Sequence, residues 1–158
     1  MLKDIKFYFE NLFATKWTET SIHFGGQEFD PKALGISKWV NPYYTPTRTR
    51  AFGLGDNASI YYGDLYVVCW QKNDVEAMEL ADNVAKFIND NVDKHLFKLK
   101  GYDVVDHAWD TTNKAYIILS FTIETIRGVC GEDLPQKIKT RIVHGGVQVT
   151  HNNVILTK

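Results

Sequence analysis

Leu2, Ile5, Phe9, Leu12 and Phe13 recur at helical spacing, with Lys3, Asp4, Lys6 and Glu10 between them. This period predicts an amphipathic first helix ending near Thr15. From Thr20 to Phe24 the period drops to two, with Ile22 and Phe24 on one side, and Gly25-Gly26 closes a short strand. Residues 27–57 lose regularity. Pro31, Pro42 and Pro46 interrupt them, and only Lys38 to Tyr44 has the pattern of a strand. Thr45 to Asn57 holds two arginines, two glycines and few apolar residues, which predicts a long exposed loop or a flexible hairpin tip. Loops of that length in compact domains are usually functional or disordered.

Ser59 to Trp70 carries the strongest strand signal. Leu65, Val67 and Cys69 alternate with Tyr66, Val68 and Trp70, so both faces are apolar and both call for cover. One face can meet helices of the same domain; the other needs a second layer or a neighbouring subunit. Asn73-Asp74 then offers an N-cap, with Glu76 and Glu79 near the positive end of the helix dipole. Ala77, Ala81, Val84, Ala85, Ile88 and Val92 continue as a helical stripe to about Lys94. Phe97 and Leu99 suggest a short strand closed by Gly101. Ala115 to Arg127 alternates again, with Ile117, Leu119, Phe121 and Ile123 on an apolar face and Ser120, Thr122 and Glu124 on the reverse.

The order helix, strands, helix, strands predicts an α+β domain, with two main helices packed on one face of a mixed or antiparallel sheet. That domain spans residues 1–127. Residues 128–158 differ in style. Gly131 and Pro135 interrupt them, and Ile142-Val143 and Val147 to Leu156 read as short β segments, a C-terminal hairpin or extended arm. Short strands of this kind are marginal alone, so they are expected to add to a sheet edge in the same subunit or in a neighbour.

Composition changes the picture at two points. Hydrophobic residues at 44% and charged residues at 23% are normal for a globular domain, which sets disorder aside. With 18 basic and 19 acidic side chains, there is no basic surplus for non-specific nucleic-acid binding. Aromatics, at 13%, are the one unusual total: a Tyr/Phe-rich core accounts for most single rings, and the excess as a whole tilts the reading mildly toward an interface. The sequence shows no secretory signal and no apolar run near the roughly 20 residues of a membrane span. A soluble chain folded in the cytoplasm is expected.

Candidate chemistry is sparse. His23, His95, His107, His144 and His151 are scattered, and neither Cys69 nor Cys130 has a partner at zinc-site spacing. No metal or cofactor is implied. Gly25-Gly26, Gly53-x-Gly55 and Gly145-Gly146 do not continue as phosphate loops, and no Gly-x-Ser-x-Gly elbow occurs. Asp106, His107 and Asp110 form the one acid/base cluster, in a segment that reads more simply as an exposed turn. Arg48 and Arg50, with Tyr43, Tyr44 and Phe52 near them, suit a subunit interface or a single-stranded nucleic-acid contact. The chain is expected to be a structural subunit rather than an enzyme. Tyr66, Val68, Trp70, Arg48, Arg50 and Phe52 are its candidate interface residues.

The order of features resembles the tail terminator (tail-completion) family of long-tailed bacteriophages, of the lambda type. The matching pieces are the N-terminal helix, Thr20-Ser21-Ile22-His23-Phe24, the F-x-P step Phe29-Asp30-Pro31, and Trp39-Val40 opening a strand. An irregular hairpin follows, then Gly63-Asp64-Leu65-Tyr66-Val67-Val68, the helix after Asn73-Asp74, and the late strand from Ala115 to Thr125. The resemblance covers residues 1–127. It departs at Gly25, Gly26 and Gln27, where the family often has an asparagine, and residues 128–158 have no counterpart in it. The resemblance implies a homo-oligomeric ring, six-fold, that caps the finished tail tube in the virion. Its implied partners are the tail tube protein and the head connector protein, with DNA only passing through the lumen and no membrane contact. Assembly would take place in the host cytoplasm. Another head–tail connector or neck subunit is the alternative within the same class. A small hydrolase built on Asp106, His107 and Asp110, or a monomeric binding module, are the alternatives outside it.

Overall fold

The computed structural model describes residues 2–25, 28–51, 59–109 and 114–127, with 137–138, 141–144, 147–150 and 154–155 of the C-terminal segment. It begins with α1 (Leu2–Lys16), which buries Ile5, Phe9, Leu12, Phe13 and Ala14. The stripe expected from the sequence is therefore the packed one. Trp17 N–H donates to the Phe13 carbonyl at 3.0 Å, and Trp17 Nε1 donates to Thr20 Oγ1 at 3.0 Å. These bonds turn the chain from the helix into β1 (Ser21–Ile22).

A five-stranded sheet follows, made of β1, β2 (Trp39–Ala51), β3 (Ser59–Gln71), β4 (Lys98–Trp109) and β5 (Ala115–Arg127). The spatial order is β1-β2-β3-β5-β4, with β1 parallel to β2 and every other pair antiparallel. Between β3 and β4 runs α2 (Asp74–Asn91), capped by Asn73, whose side chain accepts the Glu76 N–H at 2.9 Å. Phe13 of α1 and Trp17, just past its end, both meet Phe87 of α2, with ring centroids 5.1 Å apart in each pair. The two helices thus lie side by side on one face, over Val40, Leu65, Val67, Cys69, Ile117, Leu119, Phe121 and Ile123. Tyr8 ties the layers at one end, its hydroxyl accepting the Asp93 N–H at 2.7 Å. The domain is α+β, a mixed sheet with both helices on one face.

Three local expectations need correction. Residues 45–51 are not loop. They continue β2 opposite β3, from Thr45↔Asp64 to Ala51↔Ser59. The backbone ladder holds them extended although their side chains face solvent. Residues 52–57, including Phe52, lie outside the described residues. Gly101 does not close a strand either: β4 runs through it at φ +110°, with ladder irregularities between Leu99 and Tyr102 and between Val104 and Asp106. Consequently Asp106 and His107 sit within a strand, not in a turn. In the C-terminal segment, β6 (Lys137–Ile138) pairs with β9 (Val154–Ile155), and β7 (Arg141–His144) with β8 (Val147–Thr150). Within the chain these strands pair among themselves rather than with the main sheet.

Candidate functional site

Because β3 is central, its two faces lead different lives. Leu65, Val67 and Cys69 are fully buried beneath the helices. Tyr66, Val68 and Trp70 point the other way, to a face on which no described helix packs, and all three are half-buried. What shields them is their own sheet. The register aligns Trp39, Trp70, Tyr116 and Ala108 in one row across β2, β3, β5 and β4. Trp39 and Trp70 stack at 5.4 Å and 17°, and Trp70 meets Tyr116 at 4.9 Å. Phe29 places its edge on Trp39 at 5.5 Å, and Lys114 Nζ lies 4.7 Å from the Trp39 ring centroid.

A second row pairs Tyr43 with Tyr66, stacked at 5.2 Å and 16°, with Ser120 beyond. Partial burial pushes the Tyr43 hydroxyl above its ordinary pKa, with Tyr66 adding to the shift. Farther along, Arg48, Tyr62, Glu124 and Lys98 align. The Arg48 guanidinium lies over Tyr62 at 4.3 Å, and Lys100 Nζ contacts Glu124 at 2.8 Å. That hydrogen bond holds the Glu124 carboxyl below its usual range. Thr122 Oγ1 donates to Asp64 Oδ1 at 3.1 Å. The face is aromatic and apolar at its centre and charged toward the far end.

Of the predicted interface residues, Tyr66, Val68, Trp70 and Arg48 come together on this surface. Arg50 continues the same β2 row, exposed and opposite Ile60. Sequence reasoning missed Trp39 and Tyr116, which complete the aromatic row. Their membership depends on cross-strand register, although Trp39 at the opening of a strand was a usable signal.

The acid/base trio fares differently. Asp106 and His107 are consecutive strand residues, so their side chains project to opposite faces, and both are exposed. The Asp106 carboxylate accepts the Tyr116 hydroxyl at 3.0 Å and the His107 backbone N–H at 2.8 Å. The bond to Asp106 raises the Tyr116 pKa. Asp110 lies outside the described residues. Among the described residues, no three His, Cys, Asp or Glu side chains converge as metal ligands, and no helix is long and apolar enough to cross a membrane. A cleft of about 400 Å³ opens near the α2 N-terminus, lined by Glu19, Lys38, Glu76, Glu79 and Asn83 among others. Asn83 Nδ2 donates to Glu19 Oε2 there at 3.0 Å. The Cys69 thiol is buried under the helices, which pushes its pKa up to about 12 and leaves it no nucleophilic role.

The candidate site is the outer face of the sheet, with its aromatic rows. Neither known protein families nor curated proteins give a match to this chain.

Proposed function

We propose that the chain is a self-assembling structural subunit, and that its assembly is the ring of a tail terminator that caps a phage tail tube. The observation that carries the reading is the face bearing Trp39, Trp70, Tyr116, Tyr43 and Tyr66. These stacked rings share one side of the sheet with no described helix over them, Trp39 buried among its neighbours and Tyr43 exposed. Large aromatic residues on an uncovered face are what a protein–protein contact uses as anchors. A neighbouring subunit supplies the missing layer. The tail terminator assignment itself comes from the resemblance over residues 1–127, and the tail tube protein and head connector protein are the partners that go with it. DNA would only pass through the lumen.

Light scattering after gel filtration, with negative-stain images of the same fraction, tests this. A ring of about six subunits is the expected result. A chain that stays monomeric at tens of micromolar overturns the assembly reading. A closed dimer leaves self-association standing and removes the ring.

A further inference from the structure

The outer face changes character along its strands. The stacked rings lie toward one end. Toward the other, the register lines up Arg48, Tyr62, Glu124 and Lys98, with Arg50 one row farther along β2. Arg48 from β2 and Lys100 from β4 reach over the same ring, the guanidinium 4.3 Å and the ammonium 5.5 Å from the Tyr62 centroid. Lys100 also contacts Glu124 at 2.8 Å. That bond, and then the charges of Lys98 and Arg48, hold the Glu124 carboxyl below its usual range. Three cations therefore gather about one carboxylate.

The count over this end of the face is uneven. Among the described residues, Arg48, Arg50, Lys98 and Lys100 meet two carboxylates, Glu124 and Asp64, and Asp64 already accepts the Thr122 hydroxyl. Asp103 and Asp106 lie farther back, opposite Ser120 and Ile118 in the aromatic half. Among the described residues, no carboxylate is in ion-pair contact with Arg48, Arg50 or Lys98. Like charges gathered in this way repel one another unless an anion lies between them. Glu124 is one such anion, and it leaves charge uncompensated.

Two features identify the missing anion. The cations spread over roughly 7 Å along the strands and roughly 14 Å across the sheet, by strand rise and spacing. A single small anion cannot span that, whereas a chain of phosphates can. The donor set also fits: arginine forks, lysines and threonine hydroxyls are the groups that contact phosphate oxygens. Thr45 and Thr47 precede Arg48 in β2, both exposed. The Tyr62 ring holds the Arg48 guanidinium in place, so less freedom is lost when it binds.

We propose that this end of the outer face binds the phosphate backbone of a nucleic acid, without reading its bases. The inference goes beyond the assembly reading and stands apart from it, since the cations belong to one chain. The total charge of −1 conceals the patch, because the surplus is local.

Fluorescence anisotropy of a labelled oligothymidylate, titrated with the full-length chain at low salt, tests the proposal. Saturable binding is expected, and mixed-sequence DNA should bind alike. The logarithm of the affinity should fall with that of salt at a slope of roughly −2, the counterion release of about three phosphates on a single strand. The double variant Arg48→Gln/Arg50→Gln should weaken binding about tenfold through lost phosphate contacts. Glu124→Gln should strengthen it, because a repelling carboxylate is gone and Lys100 is released. Damage to the fold would not produce that gain, so it decides the matter if the double variant fails to fold by circular dichroism. Lys86→Gln, on α2, should bind as the wild type does. Absence of binding at low salt overturns the proposal, and so does a folded double variant that binds like the wild type. Polyglutamate that displaces the DNA at equal charge overturns it too, and marks an acidic protein as the ligand. None of these outcomes bears on the ring, which gel filtration reads separately. A DNA-binding monomer removes the ring and leaves this inference standing.

Discussion

The Tyr44 ring lies across the Cα of Gly63, so close that a Cβ at position 63 would overlap its hydroxyl and ring carbons. Both residues sit on the helix-facing side of the sheet, where Tyr44 also stacks on Phe9 at 6.3 Å. Backbone geometry does not require glycine here, since φ is not positive; the space does. Gly63→Ala should therefore displace Tyr44 and destabilise the fold by about 1–3 kcal/mol, the usual cost of overpacking. Thermal melts check this. The double variant Gly63→Ala/Tyr44→Leu should lose less than the sum of the single losses, because the smaller side chain relieves the clash. Additive losses would show that the ring is not the obstacle.

Trp70 is the centre of the outer row, between Trp39 and Tyr116. The core lies on the other face, so Trp70→Ala should leave a folded monomer. Self-association should weaken by roughly 2 kcal/mol, the scale of a central anchor. Equilibrium sedimentation measures the loss. If the variant assembles as well as the wild type, Trp70 is not an anchor. If it fails to fold, the ring serves the monomer instead.

Where the fold was legible in the sequence, one physical pattern dominated. The helices and β3 and β5 bury one face under another layer, so hydrophobicity marks their period. β2 beyond Thr45 buries neither face, and no apolar alternation betrays it. Its remaining signal was β-propensity at alternate positions, in Thr45, Thr47 and Thr49. β4 was hidden for another reason. Each ladder irregularity shifts the parity of the side chains, so Leu99, Tyr102 and Val104 share the core face without sharing a period of two. The adjacent Val104-Val105 marks one such shift. The same limit applied to the site. Tyr66, Val68 and Trp70 follow from one strand's alternation, whereas Trp39 and Tyr116 join them only through register.

Cys69 offers a check on the core. Its thiol pKa is raised by burial from 9.0 to about 12. In a Cys130→Ser background, Ellman's reagent at pH 8 should react with the native chain only as fast as the protein unfolds. Denaturant should then release one full equivalent. The same shift has a sign for stability. Below pH 9 both states hold the proton and nothing changes. From pH 9 towards 12 the unfolded thiol ionises first, so this group erodes stability across that window. Rapid labelling of the native protein would contradict the packing of α2 over β3.

The C-terminal segment poses the last question, whether it belongs to the fold or to the assembly. Among the residues whose side chains are described, the hydrophobic core cluster runs from Ile5 to Ile123. The short strands β6 to β9 pair with one another and leave the five-stranded sheet complete without them. The backbone of β7 does run near α1 and β1, at the border where the sheet begins. Two-stranded pieces of this length are marginal in water by themselves, so their pairing needs support from that border or from a neighbouring subunit. Truncation after Arg127 separates the two. The shortened chain keeps that cluster and should unfold cooperatively, near the melting temperature of the full chain. It should also lose assembly, if the segment docks on a neighbour. A fall in melting temperature beyond roughly 10 °C, a loss of several kcal/mol for a domain of this size, would assign the segment to its own subunit. Unchanged melting together with unchanged assembly would remove it from both roles.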